Sequence, residues 1–397
     1  MGSAIVDASS LEMEAAGWIS YPHWVQDALA LMRNGAPGKI GLFESSVPEP
    51  SAMLADTVSA AFRNGPPATY QSVFMRNNPD LALRLGERYG AAAEQIICTT
   101  GATSAVQLIY AGLLNRDDHI LIERPGFDMF ANYALDAEIE IGFFDRPAPD
   151  FSLSVDAVLS ALTAKTRMVV VTNLHNPSGA LVSDETLSEL ADALRERGVY
   201  LLIDEVYRDY YDAEPCRFDV SRHWNAIRVN SMTKIFGLSS VRCGWMIASG
   251  RTLEQLKAYR DRVDFAVSKL SHSIAAEVFA RAHDFDRWRT GHMDAAMPVA
   301  ESAFSELSAA ELVELSMPLQ GCVCFARVVG VEDTVALSRW LIASHGVVVV
   351  PGECFGMAGH IRIGYALDES RLSAGLDRLS SGLKEYRKQN AKSQRIA

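Results

Sequence analysis

The chain of 397 residues contains no run of about 18 or more uncharged apolar residues, which leaves no candidate for a membrane-spanning helix. Its opening stretch, MGSAIVDASSLEMEAAGW, lacks the basic and apolar regions of a secretion signal, so the expected compartment is the cytoplasm. Cysteine is sparse. The six residues Cys98, Cys216, Cys243, Cys322, Cys324 and Cys354 are scattered, and the one close pair has a single residue, Val323, between its members. That spacing suits neither a zinc site nor a redox motif, so no metal is expected and the thiols read as reduced and mostly buried. Positive charge is in deficit as well: 37 Lys and Arg against 49 Asp and Glu give a formal net charge of -12. A field of that sign argues against general attraction to nucleic acid or to an anionic membrane and favours small-molecule chemistry. There is no internal repeat, low-complexity stretch or disordered linker, apart from a polar tail after Tyr386.

What is present is an ordinary globular composition, 49% hydrophobic and 22% charged, enough to bury a large core at a length that suggests two or three domains. From about Gln95 to Ser249, short apolar runs alternate with helical patterns, the signature of a doubly wound α/β unit. The candidate strands are IICTT, HILIER, EIGFFD, MVVVTN, YLLIDE, AIRVNSM and CGWMIAS. Between MVVVTN and YLLIDE, Leu187, Leu190, Ala191 and Leu194 recur at helical spacing. Ser183 can cap this helix and Gly198 end it, with Asp184 and Glu185 in the first turn and Arg195 and Arg197 in the last. After Arg251 the pattern changes to longer helices at roughly 251–266, 269–283 and 286–311. A second set of strands follows, ELSMPL, VCFARVV, VVVVPG and HIRIGYAL, around the helix TVALSRWLIASHG and ahead of a closing helix SRLSAGLDRLSSGLKEYRK. This set reads as a smaller α+β domain.

The segment SMTKIFGLSSVRCGW carries the sharpest chemistry, because a strand ends there and a loop offers Ser231, Thr233, Lys234 and Arg242 before the next strand. A lysine at a strand end is most often solvated. Hydroxyls together with a guanidinium, however, are what a dianionic phosphate ester requires, and a lysine beside such a site can form an imine with an aldehyde.

These residues resemble the lysine loop S-x-x-K-x-x-G-x-x-x-x-R-x-G of the class I/II aminotransferases, the pyridoxal 5'-phosphate (PLP) enzymes of fold type I, here as Ser231, Lys234, Gly237, Arg242 and Gly244. Four further motifs follow the family's order between about residues 79 and 364. The resemblance implies a large domain with a mostly parallel sheet flanked by helices, spanning residues 51–290, and a small α+β domain at 291–397 that takes in part of an N-terminal arm at 1–50. It implies transamination between an L-amino acid and a 2-oxo acid through a Schiff base on Lys234, in a homodimer with shared active sites. β-Lyases and oxidative or cyclising enzymes share the scaffold and remain open. A PLP-dependent transcription regulator is disfavoured, because the segment before Tyr70 is short for a DNA-binding domain and the chain is acidic.

Residue by residue, the resemblance implies the following roles. Asp204, at the end of LLIDEVYRDYY, faces the pyridine nitrogen and keeps it protonated, and Tyr207 bonds the phenolic oxygen of the cofactor and helps lower the pKa of the lysine linkage. Read alone, Asp204 is a turn residue and Tyr207 a packed tyrosine. Asn176, in the N-P-x-G-like turn with Pro177 and Gly179, bonds the same oxygen from the other side and helps place the substrate carboxylate. Gly101, Ala102 and Thr103 open a helix whose free N–H groups form the phosphate cup. Phe127, in ERPGFDMF, stacks on the cofactor's face. Arg362, in HIRIGYAL, pairs with the substrate α-carboxylate; a structural salt bridge is the plainer alternative.

Two segments depart from the pattern. Tyr70 sits where the family carries a tyrosine that reaches the PLP phosphate of the partner subunit, but this loop is longer than the family's and lacks its glycine. KIGLFESSVPEPS offers Glu44, Ser45 and Ser46 in place of a glycine-rich substrate segment; Glu44 can meet a cationic substrate side chain, or stay solvated or salt-bridged.

Overall fold

A computed structural model describes residues 18–34, 38–70, 76–211, 218–263 and 267–393. The chain opens with helix α1 (Tyr21–Asn34), a two-residue strand β1 (Ile40–Gly41), and helices α2 (Ser51–Ala61) and α3 (Pro79–Tyr89). The large sheet then assembles from β2 (Ile96–Thr99), β3 (His119–Arg124), β4 (Glu140–Asp145), β5 (Thr166–Thr172), β6 (Tyr200–Asp204), β7 (Ala226–Ser231) and β8 (Gly244–Ile247). Its seven strands lie in the order β2-β8-β7-β6-β5-β3-β4. All pairings are parallel except those of β8, which runs against both β2 and β7.

Helices α4 (Ala102–Leu113), α5 (Met129–Asp136), α6 (Val155–Ala161), α7 (Asp184–Arg195), the single turn α8 (Met232–Ile235), α9 (Gly250–Val263) and α10 (Lys269–Ala280) connect and cover these strands. The apolar runs are continuous because both faces of the sheet are buried. Along β5, Val169 and Val171 enter one core with α3, α7 and α10, while Met168 and Val170 enter the other with α4, α5 and α9. The α7 pattern is as read: the Ser183 hydroxyl accepts from the Thr186 N–H, and Leu187, Leu190, Ala191 and Leu194 are all buried. Emptying one such leucine site costs about 2–5 kcal/mol.

The second body contains α11 (Ala282–Ala309), β9 (Val313–Glu314), β10 (Val323–Val328), α12 (Thr334–His345), β11 (Val347–Val348), β12 (Val350–Pro351), β13 (His360–Gly364) and α13 (Glu369–Ser393). Its antiparallel sheet has the order β12-β13-β10-β9. Strand β1 crosses from the N-terminal segment to pair in parallel with β11, Ile40 opposite Val347 and Gly41 opposite Val348. Two expectations change here. ELSMPL is not a strand; pairing stops after Glu314, where Arg327 is its last partner. VVVVPG is two strands in two sheets, because Val347 and Val348 pair with β1 whereas Val350 and Pro351 pair with β13. The long helices also shift, the third starting at Ala282 and running without a break through Pro298. No helix among the described residues is long and apolar enough to cross a membrane.

Candidate active site

Parallel strands end on the same edge of a sheet, and that edge is where the loops of an open α/β fold converge. Here β5 leads into the turn with Asn176, β6 ends on Asp204, β7 ends on Ser231, and β2 leads to Gly101 and α4. Because β8 is antiparallel, its first residue, Gly244, lies at the same edge and brings Arg242 with it. Ala102, Thr103, Phe127, Asn176, Asp204, Tyr207, Ser231, Thr233, Lys234, Arg242 and Arg362 line one cleft, joined by Tyr21, Ser45 and Val206.

One end of the cleft is built for an anion. Helix α4 is capped by Gly101 with φ 84° and no side-chain bond at its start, so its first N–H groups face the cleft. Ser231, Thr233 and Arg242 add two hydroxyls and a guanidinium. The glycines keep these elements close. A Cβ on Gly101 stands 2.7 Å from Arg242 Nη2, and one on Gly244 stands 2.4 Å from the Gly101 carbonyl carbon. Arg242 itself holds a left-handed backbone, φ 50°, which places an unusual conformation at the mouth of the cup.

In the middle of the cleft, Asp204 is 9% exposed. One of its oxygens accepts from the Val206 N–H at 3.0 Å. Burial pushes this carboxyl up to about 7; the Val206 N–H and the charge of Lys234 pull against that, while Glu123 and Glu205 add to it. Tyr207 lies beside it, and burial raises its phenol above the usual range.

The opposite end carries Lys234 and Arg362. Lys234 Nζ donates to Ser45 Oγ at 2.8 Å and stands 5.7 Å from the Tyr207 ring centre. Burial lowers the pKa of its amine, Arg362 lowers it further, and Tyr21, Cys322 and Glu44 oppose the fall. Arg362 is 1% exposed. It donates from Nη1 to Asn176 Oδ1 and from Nη2 to the Tyr21 hydroxyl and the Phe43 carbonyl, each at 3.0 Å. Its Nε is buried without a hydrogen-bond partner, and no carboxylate of the described residues pairs with it. A buried guanidinium in that condition is costly unless an anion joins it.

Three expected residues stand elsewhere. Gly101 sits behind the cup as the helix cap rather than on the cleft wall. Tyr70 is 46% exposed and lies outside the cleft of its own chain, and residues 71–75 after it are outside the described residues, as is Cys216. Glu44 is exposed and lines a neighbouring groove with Glu49 and Asp368, whereas its neighbour Ser45 turns into the cleft.

Two residues escaped the sequence reading. Tyr21, at the start of α1, reaches Arg362 through its hydroxyl and Phe127 through its ring, with centroids 5.6 Å apart. Its backbone N–H donates to Asp128 Oδ2 at 2.9 Å, and the Ile19 N–H donates to the Glu353 carbonyl, so the head of α1 is tied to segments from both sheets. Tyr210, in the same YRDYY run as Tyr207, is the second; its hydroxyl donates to the Lys234 carbonyl at 2.8 Å and accepts from the Val47 N–H at 3.0 Å. A single tyrosine in an amphipathic helix or an aromatic run carries no spacing signal.

Residues 67–379 match the family described as Aminotransferase class I and II. The chain belongs to that family. Its members depend on pyridoxal phosphate, so this aminotransferase-family enzyme is a PLP enzyme. Among curated relatives, it is 28% identical over 291 residues to capreomycidine synthase of Streptomyces vinaceus, covering 72% of this chain and 74% of that protein. It is 25% identical over 306 residues to aspartate aminotransferase of Pyrococcus horikoshii, with 73% and 75% covered. Among solved structures, the aspartate aminotransferase of Rhizobium meliloti superposes with a TM-score of 0.79 at 20% identity, covering 92% of this chain and 96% of that one. The PLP-dependent cyclase OrfR superposes with a TM-score of 0.78 at 22% identity, with 92% and 96% covered. These likenesses establish the α/β fold of type I.

Among the described residues, the cleft of this family member fits its cofactor on three counts: an anion cup without an anionic side chain in it, a buried carboxyl with no cationic side chain bonded to it, and a lysine in the same cleft. Asp204 also makes the fit testable through stability. Its carboxyl titrates above the ordinary value in the folded protein, so the folded state binds more protons than the unfolded one between about pH 4 and 7, and stability falls as pH rises through that window. The Asp204→Asn variant stripped of cofactor is therefore expected to melt a few degrees above wild type at pH 8 and level with it near pH 4. The same variant should bind pyridoxal phosphate more weakly and lose most of its activity. Calorimetry at the two pH values checks the first expectation and cofactor titration the second.

Proposed function

We propose that this enzyme is an aminotransferase that moves the amino group of an L-amino acid to a 2-oxo acid, with Lys234 as the residue that carries the cofactor. The observation that supports this most directly is the pair in the cleft: Lys234, whose amine burial holds below its usual pKa, beside a buried arginine, Arg362, that has no carboxylate partner among the described residues. When bound, pyridoxal phosphate supplies an electron sink for charge developing at the substrate α-carbon.

The chain's own groups divide the remaining work. The N–H groups at the start of α4, near Ala102 and Thr103, bind the phosphate together with Ser231, Thr233 and Arg242. Asp204 would hold the ring nitrogen and keep its proton in place, since a cation there would restore the charge that burial disfavours in the carboxyl. Tyr207 and Asn176 would hold the ring oxygen, and Phe127 would pack against the ring. Arg362 takes the α-carboxylate as a bidentate pair, with Asn176 fixing the guanidinium plane. That grip orients the α-hydrogen toward Lys234 Nζ, which burial keeps uncharged to a larger extent than a surface lysine and which takes the proton and gives it back. Tyr70, exposed at the surface, suits a contribution to the cleft of a second subunit in a homodimer.

A second reading is cyclisation or elimination on an amino-acid side chain, and it is favoured by the likeness to capreomycidine synthase and to the cyclase OrfR. A screen of single amino acids against the holoenzyme separates the two. Transamination is expected to convert the bound cofactor to its amine form with one amino acid alone, and the original absorbance returns when a 2-oxo acid is added. A ring-closed product or released ammonia, with the cofactor unconverted, overturns transamination in favour of the second reading.

A further inference from the structure

The segment between β1 and α2 enters the cleft at Ser45 and touches two cleft residues and Tyr210 in turn. The Phe43 carbonyl accepts from Arg362 Nη2 at 3.0 Å, Ser45 Oγ accepts from Lys234 Nζ at 2.8 Å, and the Val47 N–H donates to the Tyr210 hydroxyl at 3.0 Å. Tyr210 closes the circuit by donating to the backbone carbonyl of Lys234 itself at 2.8 Å. The segment is also anchored at its start, where the Gly364 N–H donates to the Leu42 carbonyl at 2.8 Å, two residues along the chain from Arg362. At its end it lies directly on the lysine loop. Gly237 permits this, since a Cβ there would stand 2.6 Å from the Val47 carbonyl oxygen and 2.4 Å from that of Pro48. Ser45 is 5% exposed and Tyr210 likewise 5%, so neither contact is a passing surface bond.

A short stretch with fixed attachments at 43 and 47 has little freedom at 45. The Ser45 hydroxyl is thus held at a set position between the substrate-binding arginine and the backbone of the lysine. We propose that Ser45 is the positioning residue of Lys234: it holds the ε-amine, whenever that amine is not joined to the cofactor, at a fixed place relative to Arg362. This rests on the assignment of Lys234 as the cofactor's lysine. The consequence is that the proton carried by the lysine is returned to one side of one carbon, while a lysine released from the hydroxyl has a long flexible stem and wanders. As an acceptor, the hydroxyl favours the protonated amine. The other groups whose charge or ring acts on this amine are Tyr21 from α1, Glu44 from the neighbouring groove, Asp204 at the end of β6, Tyr207 after it, Cys322 before β10, and Arg362 on β13.

The test uses full-length Ser45→Ala and Ser45→Thr, each loaded with pyridoxal phosphate and compared with wild type. The first readout needs no substrate: the cofactor is stripped, pyridoxal phosphate is added back, and the return of its absorbance is timed against pH. Attack by the lysine needs the uncharged amine, so the rising limb of this profile is expected to move down by about half a unit to one unit in Ser45→Ala, with Ser45→Thr restoring most of it. The second readout is exchange of the α-hydrogen of an accepted amino acid in deuterated water, expected to slow roughly tenfold or more in Ser45→Ala with its KM little changed. Unchanged profiles and exchange in Ser45→Ala overturn the proposal. Loss of folded protein or of cofactor binding in Ser45→Ala, with a wild-type profile in the fraction that remains, also overturns it and leaves Ser45 a packing residue. A shifted re-attachment profile in an enzyme that exchanges no amino acid upholds the role of Ser45 while overturning transamination.

Discussion

Replacing Lys234 with alanine is expected to abolish the absorbance of covalently held cofactor and to reduce turnover by about 10³-fold or more, because one amine is lost both as attachment point and as proton carrier. The fold should survive. Lys234 is partly exposed to the cleft, and the side-chain hydrogen bond it gives up is the one to Ser45. The circular dichroism spectrum and melting curve of the stripped protein are therefore expected to match wild type. An unchanged cofactor spectrum with activity retained would remove Lys234 from the chemistry. Arginine at this position is no substitute, since a guanidinium stays protonated and cannot form the linkage.

The second large effect belongs to Arg362. Arg362→Leu is expected to lower kcat/KM by roughly 10²–10³-fold, the scale of losing one member of a buried, hydrogen-bonded charge pair, and most of the loss should appear in KM. Arg362→Lys keeps the charge without the planar fork and should recover little. What distinguishes this from a structural role is stability. In the absence of substrate, Arg362 is a buried cation with an orphaned Nε and no carboxylate partner among the described residues, so removing it trades a desolvation cost against the bonds to Asn176, Tyr21 and the Phe43 carbonyl. The stripped Arg362→Leu protein should melt within a few degrees of wild type. A drop of many degrees would identify a salt bridge that holds the fold together rather than a grip on substrate.

Much of this molecule is legible in its sequence, for reasons that differ by region. The strands of the large sheet read as uninterrupted apolar runs because helices cover both of their faces, as the division of Met168, Val169, Val170 and Val171 between two cores illustrates. Helix α7 reads because its cap, its charged first turn and its apolar stripe agree with one another. ELSMPL misled because Leu315 and Met317 pack beyond its one paired residue, Glu314, while Leu319 is exposed, and partners are invisible in a single strand's pattern. VVVVPG misled because four valines give no hint that Val349 separates pairings in two different sheets. In the cleft, residues that lie within compact motifs, Lys234 with Ser231 and Arg242 above all, were found together. Those that reach the site across long stretches of chain were not. Tyr21 meets Arg362 over 341 positions and Tyr210 meets Val47 over 163. In the sequence Glu44 carries the charge and so stands out over Ser45, whereas in the structure the serine lines the cleft and the glutamate lines the neighbouring groove.

The cleft draws its walls from almost the whole length of the chain, Tyr21 at one extreme and Arg362 at the other. No fragment of the protein contains it, and no partly folded state that leaves either sheet unmade can present it. Pyridoxal phosphate therefore recognises only the finished structure, which makes the cofactor a thermodynamic ligand of folding as well as a reagent. Each tenfold rise in its free concentration above the dissociation constant adds about 1.4 kcal/mol to the stability of the native state. The supply of the vitamin-derived cofactor and the lifetime of this protein are, by that linkage, the same equilibrium seen from two ends.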